Sequence, residues 1–249
     1  MRRFIVAGWL LGFLCAAGHA ACDTGLAERM HAKLHPKRSL DHELAVCEPW
    51  RAVPGRFVVV LPMPRPGLDA GATRFDLDVL VIQQADNGNT ERARIVSRLF
   101  EEDALAQDAV RIAEIRLDTA RYALAPEARA FGLRVLYQGA SRANPYARET
   151  VSLYMPQGQK LARVLDPLEM TLERGEWDTS CTGTFETMRG TLAVMRTTSN
   201  GLADLMLRRT RSSTRSLLQG DECVTQERPA TSDSVVLRYD GARYRAARR

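Results

Sequence analysis

The stretch FGLRVLYQ, residues 131–138, determines the fold class of this chain. Its apolar side chains alternate with mostly polar ones, so an extended strand would have one apolar and one polar face. Residues 151–155 repeat the alternation. Short apolar runs recur toward the carboxyl end at intervals of roughly 8 to 12 residues, separated by turn signals such as Asp240-Gly241. The pattern is typical of an antiparallel β meander.

We therefore predict a mainly β protein whose antiparallel meander forms a sandwich or an open barrel. The first β region is expected over residues 51–125 and the second over residues 126–249, either as two domains or as one continuous domain. Within them, the acidic residues 101–107 are expected to form one or two helical turns. Residues 140–150 and 210–234 are expected to be loops, because they are polar and rich in turn-forming residues.

Residues 21–50 differ from the rest of the chain. Their first apolar residues follow a helical spacing that stops at Pro36, and Ser39 is placed to cap a second short helix. We expect a short helical segment at the amino end of the mature protein.

Residues 1–20 have the form of a secretory signal peptide. Two arginines precede an uncharged apolar run, and the small residues Gly18 and Ala20 stand where a signal peptidase cleaves. The run of about 14 residues is shorter than the roughly 20 needed to span a membrane. We predict export to the periplasm with removal of residues 1–20, and no membrane span.

Export determines how the cysteines are interpreted. The mature chain would keep Cys22, Cys47, Cys181 and Cys223, an even number in an oxidising compartment. Three pairings are possible, and we favour Cys22–Cys47 and Cys181–Cys223 because each pair closes a moderate loop within one segment. The first bond would staple the helical segment. His19 stands where a lipoprotein signal carries an aliphatic residue, so we expect no lipid anchor at Cys22.

The charge balance gives little reason to expect a polyanionic partner. Cleavage would remove Arg2 and Arg3 from the 35 basic residues, leaving 33 against 30 acidic ones. So small an excess of positive charge does not indicate nucleic acid or an anionic membrane surface as a binding partner. The arginine-rich stretch 208–215 could meet an anionic polymer, but we expect it to be the solvated rim of a loop.

The histidines of the mature chain all lie in its amino-terminal segment. His31 and His35 are four residues apart, which on a helix would place both on one face at a distance suited to a metal ion. Pro36 ends that helix at once, and no glutamate follows His31 as it would in a zinc-protease motif. They are therefore weak metal candidates, and we expect neither a metal nor another cofactor.

Two pairs of acids are the remaining candidates for chemistry. Asp76 and Asp78 would share one face of a strand, and Glu176 and Asp178 flank Trp177 in a similar way. Paired carboxylates beside an aromatic ring suit glycoside hydrolysis. Carboxylates on strands beside arginines are more often solvated or ion-paired, so we assign no catalytic residue.

An interaction surface is a better-supported expectation. Trp, Tyr and Arg side chains are the usual energetic anchors of protein interfaces. We expect such a patch at Ser141, Arg142, Asn144, Tyr146 and Trp177. Trp177 has an equally good alternative role in the core, covering the second disulfide.

A resemblance to a known group supports the predicted location. It rests on residues 129–132, 141–146 and 175–178, on Cys181, and on Asp240-Gly241 with Tyr244. In these residues the chain resembles exported, periplasmic β-rich proteins of Gram-negative bacteria. The resemblance implies a periplasmic location, and since no activity is assigned to the group it implies no catalytic residue.

The function predicted from the sequence is that of a non-catalytic periplasmic binding protein. Its partner would be another envelope protein or a cell-wall polymer rather than nucleic acid. An inhibitor or immunity-type protein that acts on an envelope hydrolase fits this description. The alternative is a cell-envelope hydrolase or metal-dependent enzyme that uses the amino-terminal histidines or the acids around Trp177.

Overall fold

The computed structural model describes residues 25–67, 71–84 and 90–247. These residues form one α-helix, one short 3-10 turn and twelve strands, so the mainly β prediction is confirmed. The predicted signal peptide and Cys22 lie outside the described residues.

The helix is α1 (Leu26–Leu34) and the 3-10 turn is Thr90–Arg92. The strands are β1 (Val46–Pro49), β2 (Arg56–Pro66), β3 (Thr73–Gln83), β4 (Arg94–Gln107), β5 (Val110–Ala125), β6 (Ala128–Gly139), β7 (Tyr146–Gln157), β8 (Lys160–Trp177), β9 (Gly183–Ser199), β10 (Leu202–Gln219), β11 (Glu222–Tyr239) and β12 (Tyr244–Ala246). Within the described residues, no helix has the length and apolarity needed to cross a membrane.

All twelve strands belong to one sheet, which does not close on itself within the described residues. One path through it runs β1-β2-β3-β4-β8-β9-β10-β11-β12, and β7, β6 and β5 branch from the other side of β8. The pairings are antiparallel except for a parallel bridge between Arg98 and Lys160, where β4 meets β8. Strand β8 thus joins every part of the sheet.

The largest apolar cluster lies where the β1–β4 part of the sheet packs against β5, β6 and β7. The alternation in residues 131–138 explains this packing, because Phe131, Leu133, Val135 and Tyr137 all point into this cluster. Opposite them lie buried side chains of β2 and β3, among them Val58, Val60, Phe75, Leu77, Val79 and Val81.

Two further clusters cover the outer faces of these layers. Helix α1 packs Leu26 and Met30 on the far side of β2 and β3, against Leu61 and Leu80. Strands β10, β11 and β12 pack on the far side of β7 and β8, where they bury Val151, Leu153, Val164, Leu205, Leu207, Leu237, Tyr239 and Tyr244.

The predicted second amino-terminal helix is wrong. Residues after Pro36 form turns, and the last of them is closed by Asp41, whose Oδ1 accepts hydrogen bonds from the N–H groups of Glu43 and Leu44 at 3.1 Å. Strand β1 begins at Val46, so too few residues remain for a helix.

The helical prediction for residues 101–107 is also wrong, because they complete β4 and pair with β3. An irregularity in that pairing hides the strand period. Asp103 adopts a positive φ of 52°, and its N–H donates to Asp76 Oδ1 at 2.8 Å. The register shifts between Phe75 and Leu77, which marks a β-bulge that the sequence pattern does not show.

The predicted loop over residues 210–234 is instead the hairpin of β10 and β11. Together with neighbouring strand ends it forms a projection that we call the arm, defined as residues 171–177, 183–189, 208–219 and 222–234. Among these residues Met188 alone is buried, so the arm has almost no core of its own. The predicted loop 140–150 is shorter than expected, since β7 starts at Tyr146.

A disulfide between Cys181 and Cys223 closes the tip of the arm, as predicted, with 5.7 Å between the two Cα atoms. It joins the β8–β9 turn to the start of β11. Cys47 is also disulfide-bonded, but the predicted partner Cys22 lies outside the described residues, so that pairing stays a prediction.

Replacing both Cys181 and Cys223 by serine should loosen the arm selectively. The bond closes a loop with a sequence separation of 42 residues, which is worth about 4 kcal/mol in the chain-entropy model. Because the arm buries so little apolar surface, we expect faster amide hydrogen exchange in its four segments and unchanged exchange in β2 and β3. Equal acceleration in both regions would show that the bond stabilises the whole fold and not the arm.

Candidate functional site

Two rows of side chains cross one face of the sheet from the core into the arm. Successive register partners form the first row. A second row runs beside it, two residues away on β7, β8, β9 and β10 and three residues away on β11, where the register shifts. We call these two rows the platform. The first row contains Tyr137, Arg148, Leu172, Met188, Arg211 and Thr231, and the second contains Tyr146, Arg174, Glu186, Ser213 and Arg228. Six strands at a spacing of about 4.8 Å make the first row about 24 Å long.

The platform lines two concavities on either side of the β7–β8 pairing. A cavity of about 420 Å³ lies between Tyr137, Tyr146 and Arg148 and the nearby ends of β3 and β4. A cavity of about 340 Å³ lies on the arm and includes Leu172, Met188 and the platform arginines of β8, β10 and β11. Since Arg148 pairs with Leu172 and Tyr146 with Arg174, the two cavities are neighbours along one surface.

The floor of the platform includes apolar side chains, and its rim carries arginines together with the carboxylates Glu169 and Glu186 in one cavity and Asp108 in the other. Met188 is only 4 % exposed. The Arg148 guanidinium lies 4.7 Å from the centre of the Tyr137 ring, and its Nε is buried without a hydrogen-bond partner among the described residues. Burial raises the pKa of Tyr137, so its phenol stays neutral and available as a donor.

Carboxylates neutralise only part of this charge. Arg174 donates to Glu186 at 2.7 Å, and Arg211 donates to Asp233 at 2.5 Å. Within the described part of the chain, neither Arg148 nor Arg228 has a carboxylate partner. The platform therefore suits an extended ligand that carries acidic or other acceptor groups and some apolar surface.

The opposite face of the arm has a different chemistry. Hydroxyl groups pair across the strands, Thr187 with Ser212 at 2.7 Å and Ser216 with Thr225 at 2.9 Å. These bonds satisfy the hydroxyl groups within the sheet and stabilise its register. Trp177 packs on this face, with its ring centre 6.0 Å from that of Phe185.

The structure brings most of the predicted interaction patch together. Backbone bonds fasten residues 143–145 along β8, and the indole Nε1 of Trp177 donates to the carbonyl oxygen of Arg142 at 2.6 Å. Ser141 and Asn144 are exposed in the same loop, where Ser141 Oγ accepts from the Asn144 N–H. Trp177 is half-buried against Phe185, so it is neither fully exposed, as an interaction patch would require, nor fully buried, as a core role would require.

Tyr146 lies apart from that patch. It starts β7 and pairs with Arg174, which places it on the platform face and not on the face of Trp177. Sequence reasoning thus found one platform residue and missed the others. One signal in the sequence could have indicated the platform. Arginines recur at the odd positions 209, 211 and 215, which would share one face of a strand, but the sequence analysis predicted a loop there.

The two acids beside Trp177 lie in different surroundings. Asp178 Oδ1 accepts hydrogen bonds from the N–H groups of Ser180 and Cys181, at 2.9 and 2.8 Å. These backbone bonds lower the pKa of Asp178. Asp178 therefore shapes the turn that presents Cys181 to the disulfide, and Glu176 is exposed on the platform face.

The histidine segment and the Asp76–Asp78 pair form a second cluster, on the α1 side of the sheet. His35 Nε2 lies 2.7 Å from Asp78 Oδ2, and Arg98 Nε donates to both Asp78 oxygens at 2.9 and 3.0 Å. Asp78 is fully buried. The sequence analysis treated the histidines and the aspartates as separate candidates, whereas the structure brings His35 into contact with Asp78.

Asp76 is bound in the same way. Arg38 Nη2 donates to its Oδ2 at 2.8 Å, while the Asp103 N–H donates to its Oδ1. Asp103 in turn pairs with Arg65 and with Arg74. Every carboxylate of this network thus has cationic or N–H partners, which fasten the segment after α1 to the sheet.

His31 does not join His35 in binding a common partner. Their ring centres are 6.3 Å apart, and His31 Nε2 is buried without a hydrogen-bond partner in the described structure. Among the described residues there is no group of three or more His, Cys, Asp or Glu side chains placed to hold a metal ion.

Comparison of the chain with protein-family models, with curated proteins and with solved structures finds no match.

Substituting Asp78→Asn should destabilise the fold by about 3 kcal/mol, because His35 and Arg98 would lose the buried anion that they share. Urea unfolding followed by circular dichroism measures the loss. The control is Glu173→Gln, which removes the exposed partner of Arg189 and should cost less than about 1 kcal/mol. Equal losses in the two variants would show that the buried network contributes no special stability.

His31→Gln should weaken the pH dependence of stability. Burial, followed by repulsion from His35, His42 and Arg38, lowers the pKa of His31 below its ordinary value of 6.5. As pH falls through that value, the unfolded chain binds a proton that the folded chain resists, so unfolding becomes easier. We expect the free energy of unfolding to fall less between about pH 7.5 and pH 5.5 in the variant than in the parent protein.

The exposed Lys33 of the same helix provides the control for this experiment. Lys33→Gln leaves the imidazole of His31 in place, so it should keep the pH dependence of the parent protein. A His31→Gln protein with the same pH dependence as the parent would contradict the assignment.

Proposed function

We propose that this is a non-catalytic binding protein of the bacterial cell envelope, which holds an extended segment of another envelope protein across the platform. In this proposal the face-to-face packing of the sheet is an open sandwich that serves as a rigid scaffold. The observation that carries the proposal is the pair of cross-strand rows that joins two neighbouring cavities on one face.

The dimensions of the platform support an extended partner. A row of about 24 Å matches about seven residues of extended polypeptide at about 3.3 Å per residue. Two cavities in line would accept side chains of such a segment. The disulfide at the tip of the arm limits the flexibility of the surface, which lowers the entropy lost on binding.

The chemistry of the platform favours a protein over a cell-wall polymer. Tyr and Arg are the side chains most often found at energetic centres of protein interfaces. The thioether of Met188 adapts to apolar side chains of varied shape. Arg148 and Arg228 would pair with acidic groups of the partner. An inhibitor that covers an envelope hydrolase is the specific role that we propose for such a surface.

The groups suited to catalysis already have structural partners, which supports a binding role over the hydrolase alternative. His35 Nε2 lies at hydrogen-bond distance from Asp78 beneath α1, and Asp178 caps a turn. No described hydrogen bond or ion pair connects this histidine cluster with the acids beside Trp177.

A charge reversal on the platform should weaken partner binding. The immobilised protein is incubated with a detergent extract of envelope proteins and, separately, with purified peptidoglycan, and the retained material is identified and then titrated directly. We expect Arg211→Glu to weaken binding of a retained protein at least about tenfold.

Arg189→Glu is the matched control. Arg189 is also exposed and ion-paired, but it lies on the opposite face of the arm and pairs with Glu173 at 3.2 Å. The variant should bind as the parent protein does. A partner retained equally by Arg211→Glu, or retention of peptidoglycan alone, would overturn the proposal, and loss of activity of a retained hydrolase would support the inhibitor role.

A further inference from the structure

A third concave surface lies beside β5 and shares no residue with the platform. Its volume is about 820 Å³, which is larger than that of either cavity on the platform. Its walls combine three arginines with small side chains, namely Arg51, Ala52, Thr119, Ala120, Arg121, Ala123 and Arg129.

A bulge in β5 shapes one wall of this cavity. The register between β5 and β6 shifts between Asp118 and Tyr122, so that residues 119–121 leave the ladder. The N–H of Ala120 donates to Asp118 Oδ1 at 3.0 Å, which fixes the displaced backbone. Bulges of this kind redirect side chains, and here Arg121 lines the cavity while the small Ala123 pairs with Arg129.

The turn that carries Arg51 is also held in place, by packing in the core and by backbone hydrogen bonds. Its neighbour Trp50 is 2 % exposed and packs edge-on against Phe131, with 5.4 Å between the ring centres. The Trp50 N–H donates to the Arg56 carbonyl at 2.8 Å, and the Val53 N–H donates to the Trp50 carbonyl at 2.9 Å. Arg51 therefore projects from backbone that is anchored in the core.

The three arginines lack counter-charges. No carboxylate lines the cavity, and within the described residues Arg51, Arg121 and Arg129 have neither an ion pair nor a hydrogen-bond acceptor. The adjacent Asp118 is committed to Tyr122 and Arg134, at 2.9 and 2.8 Å. Three like charges around one cavity repel each other, so an anion that enters it gains from all three.

We propose that this cavity binds a phosphate group of its ligand, a role separate from the proposed platform function. A guanidinium presents paired N–H donors that match two phosphate oxygens, and a phosphate offers enough oxygens for several such contacts. The Thr119 hydroxyl adds a neutral donor, and the three alanines leave room for close approach. Free phosphate compounds and phospholipid headgroups share this chemistry.

Titration of the full mature protein with inorganic pyrophosphate, followed by calorimetry at fixed salt, tests the proposal. We expect saturable binding that weakens about tenfold for each of Arg51→Ala, Arg121→Ala and Arg129→Ala, since a hydrogen bond to a charged group is worth about one decade in affinity. Sedimentation with vesicles of phosphatidylglycerol and phosphatidylcholine distinguishes a headgroup from a soluble ligand.

A triple variant, R111A/R196A/R238A, controls for net charge. It removes three exposed arginines that lie outside the cavity and should leave binding unchanged. The phosphate site would be supported if pyrophosphate or anionic vesicles bind the parent protein and the control triple equally and bind the three cavity variants more weakly. Absence of saturable binding of either probe, or equal weakening in the control triple, would overturn it.

Discussion

The register of β8 is the constraint on which the rest of the structure depends. In this 18-residue strand, residues 160–174 pair with β7, residues 171–177 pair with β9, and Lys160 at its start bridges to β4. A shift of one residue in the register of β8 would turn every side chain of β8 to the other face of the sheet. The platform, the hydroxyl face and the burial of Val164 all follow from this one alignment.

Strand β8 is stabilised by different interactions in its first and its last part. Between residues 160 and 170 it is held by apolar burial on β7 and under β10 to β12. Beyond residue 170 it enters the arm, where backbone pairing, exposed ion pairs and the Cys181–Cys223 bond replace the core. Exposed ion pairs contribute little individually, so the covalent bond is the strongest single constraint on the arm.

The strands that pack on the core can be predicted from the sequence, whereas the strands of the arm cannot. In residues 131–138 one face is apolar, so the period of two is visible and the strand is predicted correctly. In residues 210–234 both faces are solvated and polar, so the period disappears although the strand pairing remains. The contact of His35 with Asp78 spans 43 residues, and no local pattern encodes such a distance. The platform was missed for both reasons.

The distribution of acids explains why a chain with a formal net charge of +5 has places where several arginines lack counter-charges. The four charged side chains that are fully buried within the described residues are Asp76, Asp78, Glu149 and Asp204, and all are acidic. Arginine reaches such sites with its long stem while its guanidinium stays near solvent, as Arg134 and Arg116 do where they pair with Glu149. Burying carboxylates therefore removes negative charge from the surface. Arg148 and Arg228 on the platform, and the three arginines beside the β5 bulge, have no carboxylate partner among the described residues, so we expect these places to attract anions.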